Sequence, residues 1–407
     1  MVGDVQAATG GRGRLAEHVR WPRSGAPVLS WKNLLDNPFR LMRSIMGIAF
    51  AVLLMLVELG FRHAFLESTL QLIRGLDADI VLISPTKLFF GHKDPFPRRY
   101  LYEAAAIRGV ASAAPVYGEW TMSLWKNPQT HKPYVIQVLA FDPDKPVFLF
   151  DQVAAKLGEL KKPDTVLVDE KGRQFLGAAQ EGTDTELARR RVQVVGTFSL
   201  GPNFIEDGTV ITSDRTFFML FATREWRPDE LPDVEFGVIK VRSGYDVGEV
   251  QHSLRRALDG TVTVLTKQQM IDRETRFQET ESPIGPVFAL GVAIGFAVGL
   301  LISYQILYND VSEQLPQYAT LKAMGYTHAF LVRSVLAQSA LYTIVGYVPA
   351  WLIGVGLFRL LAEVSLLPMV ITFAITVLSA FLTLGMCLLS GWIAVRRVLA
   401  ADPAEVF

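Results

Sequence analysis

The chain has 407 residues, 50% of them hydrophobic and 20% charged, with a mean hydropathy of +0.28, which is too apolar for an ordinary soluble protein of this length. Lysine plus arginine and aspartate plus glutamate both number 40, so the formal net charge is zero, and that balance argues against nucleic acid as a partner. One cysteine, Cys387, excludes an internal disulfide or a cysteine metal cluster, and its apolar surroundings suit a structural thiol.

A bilayer core about 30 Å thick takes roughly 20 apolar residues in helix, and four runs meet that need. Ser44 to Phe61 is the first and carries Glu58 near its far end, where a carboxylate can reach interfacial water. Val287 to Leu307, Ser334 to Phe358 and Val370 to Val395 contain no charged residue. Residues 1–43 carry Arg12, Arg14, Arg20, Arg23, Lys32, Arg40 and Arg43 against three acids. By the positive-inside rule this leader is cytoplasmic, and its length argues against a cleavable signal peptide. Four crossings return the C-terminus, with Arg396 and Arg397, to the same side. The expected order is spans at 44–61, 284–308, 329–358 and 370–395, an extracytoplasmic domain at 62–283, a cytoplasmic connection at 309–328, a short external loop at 359–369 and a tail at 396–407.

Between the first two spans the pattern changes to short β-branched runs at 79–84, 165–170, 191–198, 209–214, 236–241 and 261–266. Helix-like stretches, RRYLYEAAAIRGV and VGEVQHSLRRAL, lie among them. The expectation is an α+β domain, conceivably in two lobes. PTKLFFGHKDPFPRR reads either as a partner contact or, favoured, as an ordered surface loop with aromatics tucked beneath it. Asp164 and Asp169 read as solvated residues flanking a strand.

Catalytic signatures are missing. The sequence holds no GxxxxGK[ST] phosphate loop, no HExxH pair and no GxSxG elbow, and its six histidines are scattered without ligand spacing. No catalytic residue, metal site or bound cofactor is expected, and the chain is not expected to be an enzyme. Two features do carry information. Gly291, Gly295 and Gly299, four apart, share one helix face and let another helix approach, either within the chain or across a dimer. In the connection, Pro316 suits a first helical turn and Gly325 a terminator, so Gln317 to Met324 reads as a two-turn helix with Tyr318, Leu321 and Met324 near one apolar face. Glu58 and Arg62, four apart, could pair across a turn for only a few tenths of a kcal/mol.

SEQLPQYATLKAMGY, the ending AVRRVLAADPAEVF and the one-plus-three span layout resemble the FtsX/MacB-type ABC permease superfamily. WKNLLDNPFRLMRSIMGIAFAVLLM and DADIVLISPTKLFF look closest to its DevC-like permeases. The resemblance implies a four-span α-helical membrane protein with a large α+β domain of MacB periplasmic type, multi-pass in a bacterial inner membrane with both termini cytoplasmic. It implies a homodimeric permease of an ABC exporter whose coupling helix, with Pro316, Gln317, Tyr318, Thr320, Leu321, Lys322, Met324 and Gly325, docks on a separate ATPase subunit that uses ATP and Mg. A membrane-fusion-type periplasmic adaptor, a TolC-like outer-membrane duct and an amphiphile such as a glycolipid as substrate follow from the DevC-like likeness. An FtsX-like regulator of a wall hydrolase and a lipoprotein-extracting permease are the alternatives. On this reading Leu321→Asp leaves a folded permease uncoupled from ATP hydrolysis.

Overall fold

The computed structural model describes residues 38–120, 123–221, 232–258, 260–316, 318, 320, 324–325 and 327–399. Its elements in chain order are α1 (Pro38–Gly75), β1 (Ile80–Ile83), α2 (Arg99–Ala105), β2 (Val110–Glu119), β3 (Leu124–Lys126), β4 (Pro133–Val135), β5 (Gln137–Phe141), α3 (Asp151–Ala155), α4 (Leu157–Leu160), β6 (Thr165–Asp169), β7 (Asp184–Leu187), β8 (Arg190–Phe198), β9 (Thr209–Ser213), α5 (Asp214–Phe221), β10 (Phe236–Val241), α6 (Val247–Ala257), β11 (Thr263–Thr266), α7 (Lys267–Arg276), α8 (Ile284–Glu313), α9 (His328–Ser365) and α10 (Phe373–Leu399). A π-helical turn, Phe277–Glu281, follows α7. Among the described residues four helices are long and apolar enough to cross a membrane, at Leu41–Gly75, Ile284–Glu313, Ala329–Ser365 and Phe373–Arg396. The chain divides into two compact units, the described parts of 1–50, 298–348 and 380–407 in one and 51–297 with 349–379 in the other.

All four long helices run past the apolar runs that mark them, α1 and α9 furthest. α1 continues from the span to Gly75, because FRHAFLESTLQLIR holds no glycine or proline and Gly75 is the first breaker after Gly60. α9 continues past 358 to Ser365, since RLLAEVS holds no breaker before Pro368. Most of the expected loop 359–369 is therefore helical.

Among the described residues the domain is built on one hydrogen-bonded sheet of eleven strands, in the order β11-β1-β10-β2-β5-β9-β6-β8-β7-β3-β4. Its pairings are antiparallel except β5 with β9 and β6 with β8. Alternation along the strands sends side chains into two cores. Ile80, Leu82, Tyr117, Val138 and Ile239 meet Leu101 of α2 and Leu254 of α6 on one face. Val81, Ile83, Leu139, Phe141 and Val238 meet Leu72 and Ile73 of α1 and Met270 of α7 on the other. The far end of the first span thus serves as a core helix of the domain. The sheet is continuous, so its strand order shows no division into two lobes.

Candidate functional site

Within the first unit, the informative residues lie on a helical stripe. Ser303, Leu307, Asp310, Gln314 and Tyr318 recur every three or four residues and are all buried. Asp310, 1% exposed, accepts hydrogen bonds from Gln338 Nε2 at 3.1 Å and from the Tyr342 hydroxyl, both on α9. A carboxylate inside apolar helices is costly unless it is held this way. Tyr318 donates to Gln314 Oε1 at 3.0 Å and packs with Val311, Leu331, Val335 and Val395. Burial, helped by the Asp310 charge, pushes its phenol up to about 12.

Leu315, Pro316, Tyr318 and Thr320 are helical, and the Met324 amide donates to the Thr320 carbonyl at 3.0 Å. Gly325 follows at φ +94, a left-handed conformation that favours glycine. Tyr318 and Met324, read from spacing as sharing a face, part company. Tyr318 is 7% exposed and built into its own unit, whereas Met324 is 64% exposed. Pro316, Thr320 and Gly325 are exposed as well. Gln317, Leu321 and Lys322 lie outside the described residues, as do Arg12, Arg14, Arg20, Arg23, Lys32 and the ending from Ala400 onward.

Within the second unit, the informative place is the junction of domain and spans. A capping box on Thr266 and Gln269 starts α7 directly after β11. The π-turn and Ser282-Pro283 then separate α7 from α8. Arg62 of α1 pairs with Glu279 in the π-turn and not with Glu58, because the turn brings an opposite charge to α1. Glu58 instead lies against Gly291, closer than a Cβ there could stand, and Gly295 faces Met55 Cγ with 3.2 Å to an ideal Cβ. Gly291 and Gly295 are therefore occupied by α1 of the same chain; Gly299 is buried.

The segment 85–99 is the ordered loop. Phe90 and Phe96 are 4% and 2% exposed, and Phe89 stacks on Phe277 of the π-turn with centroids 5.2 Å apart. The Phe90 amide donates to Glu274 Oε2 at 2.8 Å. Lys87 is fully buried, its Nζ 2.8 Å from Glu235 Oε2 and donating to the His92 carbonyl at 2.5 Å. Burial raises the Glu274 carboxyl above its usual range against the pull of Gln278 and the Phe90 amide. Spacing alone did not reveal the Lys87–Glu235 pair, whose members lie 148 residues apart. The stripe through Asp310 was available as a signal in the sequence.

Gly285 bears on how firmly this junction is set. A Cβ there would meet the Gln278 carbonyl oxygen, with Glu279 O at 2.7 Å. Backbone cannot yield as a flexible side chain can, so Gly285→Ala is expected to cost about 1–3 kcal/mol of overpacking. Gly291→Ala needs only the Glu58 carboxylate to swing aside and should cost much less. Thermal melting of the two detergent-solubilised variants checks the contrast; equal melting would show that the junction relaxes freely.

Residues 287–403 match the family model described as FtsX-like permease C-terminal. By that match this stretch is an FtsX-like permease C-terminal domain. The FtsX-like domain takes in α8, the connection, α9 and most of α10. No curated protein matches the chain. Among solved structures, the periplasmic region of MacB from Actinobacillus actinomycetemcomitans is similar at 11% identity over 50% of this chain and 96% of that one, with a TM-score of 0.35. The extracellular domain of the noncanonic ABC-type transporter YknZ from Gram-positive bacteria is similar at 10% identity over 46% and 99%, with a TM-score of 0.32. Similarity at this level leaves the domain assignment resting on residues 287–403.

Proposed function

We propose that this permease couples a separate ATPase, docked on the connection between α8 and α9, to movement of the domain on the opposite side of the membrane, and that the movement drives export. What carries the reading is the connection inside the FtsX-like domain. Tyr318 anchors it within its unit, while Met324 remains exposed. A connection held at Tyr318 and free at Met324 is suited to receive a push. The domain is extracytoplasmic and both termini are cytoplasmic in this proposal. A homodimer, a periplasmic adaptor, a TolC-like duct and an amphiphilic cargo complete it by resemblance to DevC-like permeases, as does inner-membrane residence.

Met324→Asp tests the docking. A carboxylate in an apolar contact worth about 1.5–3 kcal/mol should weaken ATPase capture about tenfold or more. The measurement is affinity purification of the tagged permease from gently solubilised membranes, with co-purifying proteins identified and ATP hydrolysis assayed. Recovery of an ATPase and an adaptor with wild type, and loss of the ATPase with Met324→Asp, is the expected result. A wall hydrolase in place of the adaptor would replace export by regulation, and absence of any ATPase would overturn the proposal.

A further inference from the structure

The loop 199–208 between β8 and β9 takes no part in the coupling just described, and its construction is unusually firm. Asp169, at the end of β6 and 5% exposed, is not the solvated strand flank that its sequence context suggests. Its Oδ1 accepts from the Leu200 and Lys171 amides at 3.0 and 3.1 Å, and its Oδ2 from the Gly201 amide at 2.8 Å. Gly201 then turns at φ +103, a conformation open to glycine. At the tip, Asn203 Oδ1 accepts from the Ile205 and Glu206 amides at 2.7 and 2.6 Å, and the Asn203 amide donates to the Glu206 carbonyl at 3.0 Å. The returning strand is held by Arg173, whose amide donates to the Asp207 carbonyl at 2.9 Å and whose Nε lies 2.6 Å from Asp207 Oδ1. Side-chain to backbone bonds of this kind preset a turn without help from a partner.

Two apolar residues, Phe204 and Ile205, stand at the preset tip. The Phe204 ring meets Phe65 of α1 edge-on at 5.3 Å and Phe288 of α8 edge-on at 6.4 Å, while Phe65 and Phe288 are 6.0 Å apart. Phe288 lies in the second turn of its span, level with the helix positions where apolar residues turn outward: Val287 is 65% exposed and Leu290 61% exposed. On a helix long and apolar enough to cross a membrane, outward apolar positions of this kind suit a lipid-facing surface. A ring that touches Phe288 sits beside the start of that candidate span, and span ends are where aromatic side chains concentrate. Ile205, adjacent to it, is 62% exposed. Burial and the neighbouring Asp207 push the Glu206 carboxyl up to about 7.

We propose that residues 203–206 form a preset apolar tip seated in the lipid leaflet on the domain side, with Phe204 wedged against the two spans and Ile205 in the acyl-headgroup boundary. The occupant of this surface is lipid. The wedge fixes the tip at bilayer level, and a β-branched apolar side chain at that level gains by leaving water. The tip thereby ties β8 and β9 of the sheet to the bilayer surface at a point separate from the junction of α7 and α8. The inference needs only the spans, and stands or falls independently of an ATPase on the connection.

The test uses the full-length permease in nanodiscs of phosphatidylethanolamine and phosphatidylglycerol. A Cys387→Ala background removes the one native thiol, and Ile205→Cys carries an environment-sensitive fluorophore. Leu290→Cys serves as the lipid-exposed reference. The expected result is blue-shifted emission at position 205, quenched by nitroxide lipids labelled near the headgroup and protected from aqueous iodide, as at position 290. Quenching by iodide without quenching by lipid would place the tip in water and overturn the proposal. Protection from both quenchers would show that protein covers Ile205, a second copy or a partner subunit, and would overturn it equally. The same label on a Phe204→Ala background should lose part of its lipid quenching, because the wedge that sets its depth is gone; unchanged quenching there would show that the wedge does not position it.

Discussion

Lys87→Met is expected to destabilise the permease by about 3–5 kcal/mol, the usual cost of leaving one member of a buried ion pair without its partner. Both side chains are out of solvent, Lys87 at 0% and Glu235 at 4% exposure, so water cannot take over from the missing ammonium. The loss also releases the His92 carbonyl that Lys87 binds, and with it the loop that lays Phe89 on the π-turn. For a domain of this size the shift in melting temperature should be on the order of 10 °C. The double variant Lys87→Met, Glu235→Leu should recover most of it, because apolar replacement of both partners is commonly neutral or stabilising. Breaking an exposed pair such as Lys162 with Glu159, 63% and 43% exposed, should cost about 0–1 kcal/mol. Thermal melting of the full-length protein in detergent compares all three; a wild-type melting curve for Lys87→Met would show that the loop is held by its aromatics alone.

The same pair marks where sequence reading stopped. All six β-branched runs became strands, since Val, Ile and Thr in short bounded runs report a pleated, half-buried surface directly. The longest strand, β2, went unread. VASAAPVYGE is rich in small residues and carries Pro115, which argues against a strand. It forms because β10 pairs with it across more than a hundred residues of sequence, from Phe236 opposite Val116 to Val241 opposite Val110. The loop 85–99 was ambiguous for the same reason. Whether Phe90 and Lys87 are buried depends on Glu274 and Glu235, which no local window contains. Within the connection, helix at Tyr318 and Thr320 was legible because Pro316 and Gly325 punctuate the sequence locally. Which of its side chains faced its own unit was not, since that depends on Val335 and Val395. Asp169 shows the limit most plainly: a carboxylate after a strand reads as solvated until the amides of a loop thirty residues later close over it.

Asp310 supplies the second large effect, and it is best measured as a coupling and not as a single loss. Asp310 accepts from Tyr342 and from Gln338 on α9, so removing the carboxylate leaves two buried donors unsatisfied at about 1–3 kcal/mol each. Asp310→Leu alone would mix that penalty with a new packing arrangement. The cycle of Asp310→Asn, Tyr342→Phe and their combination isolates the pair. Tyr342→Phe deletes the donor with little change of shape, and Asp310→Asn keeps shape and one acceptor oxygen. The coupling should amount to about 1 kcal/mol, the difference between a hydrogen bond to a carboxylate and one to a neutral amide oxygen, read from the SDS dependence of unfolding of the purified permease. Additive losses would show that Asp310 and Tyr342 act separately. Because Tyr318 packs against Val311, the residue after Asp310, and against Val335 of α9, the pair also sets the ground on which the connection rests. If the proposed coupling is right, Tyr342→Phe should retain ATPase binding while lowering stimulated ATP hydrolysis, since docking at Met324 is untouched and only the footing beneath it is loosened.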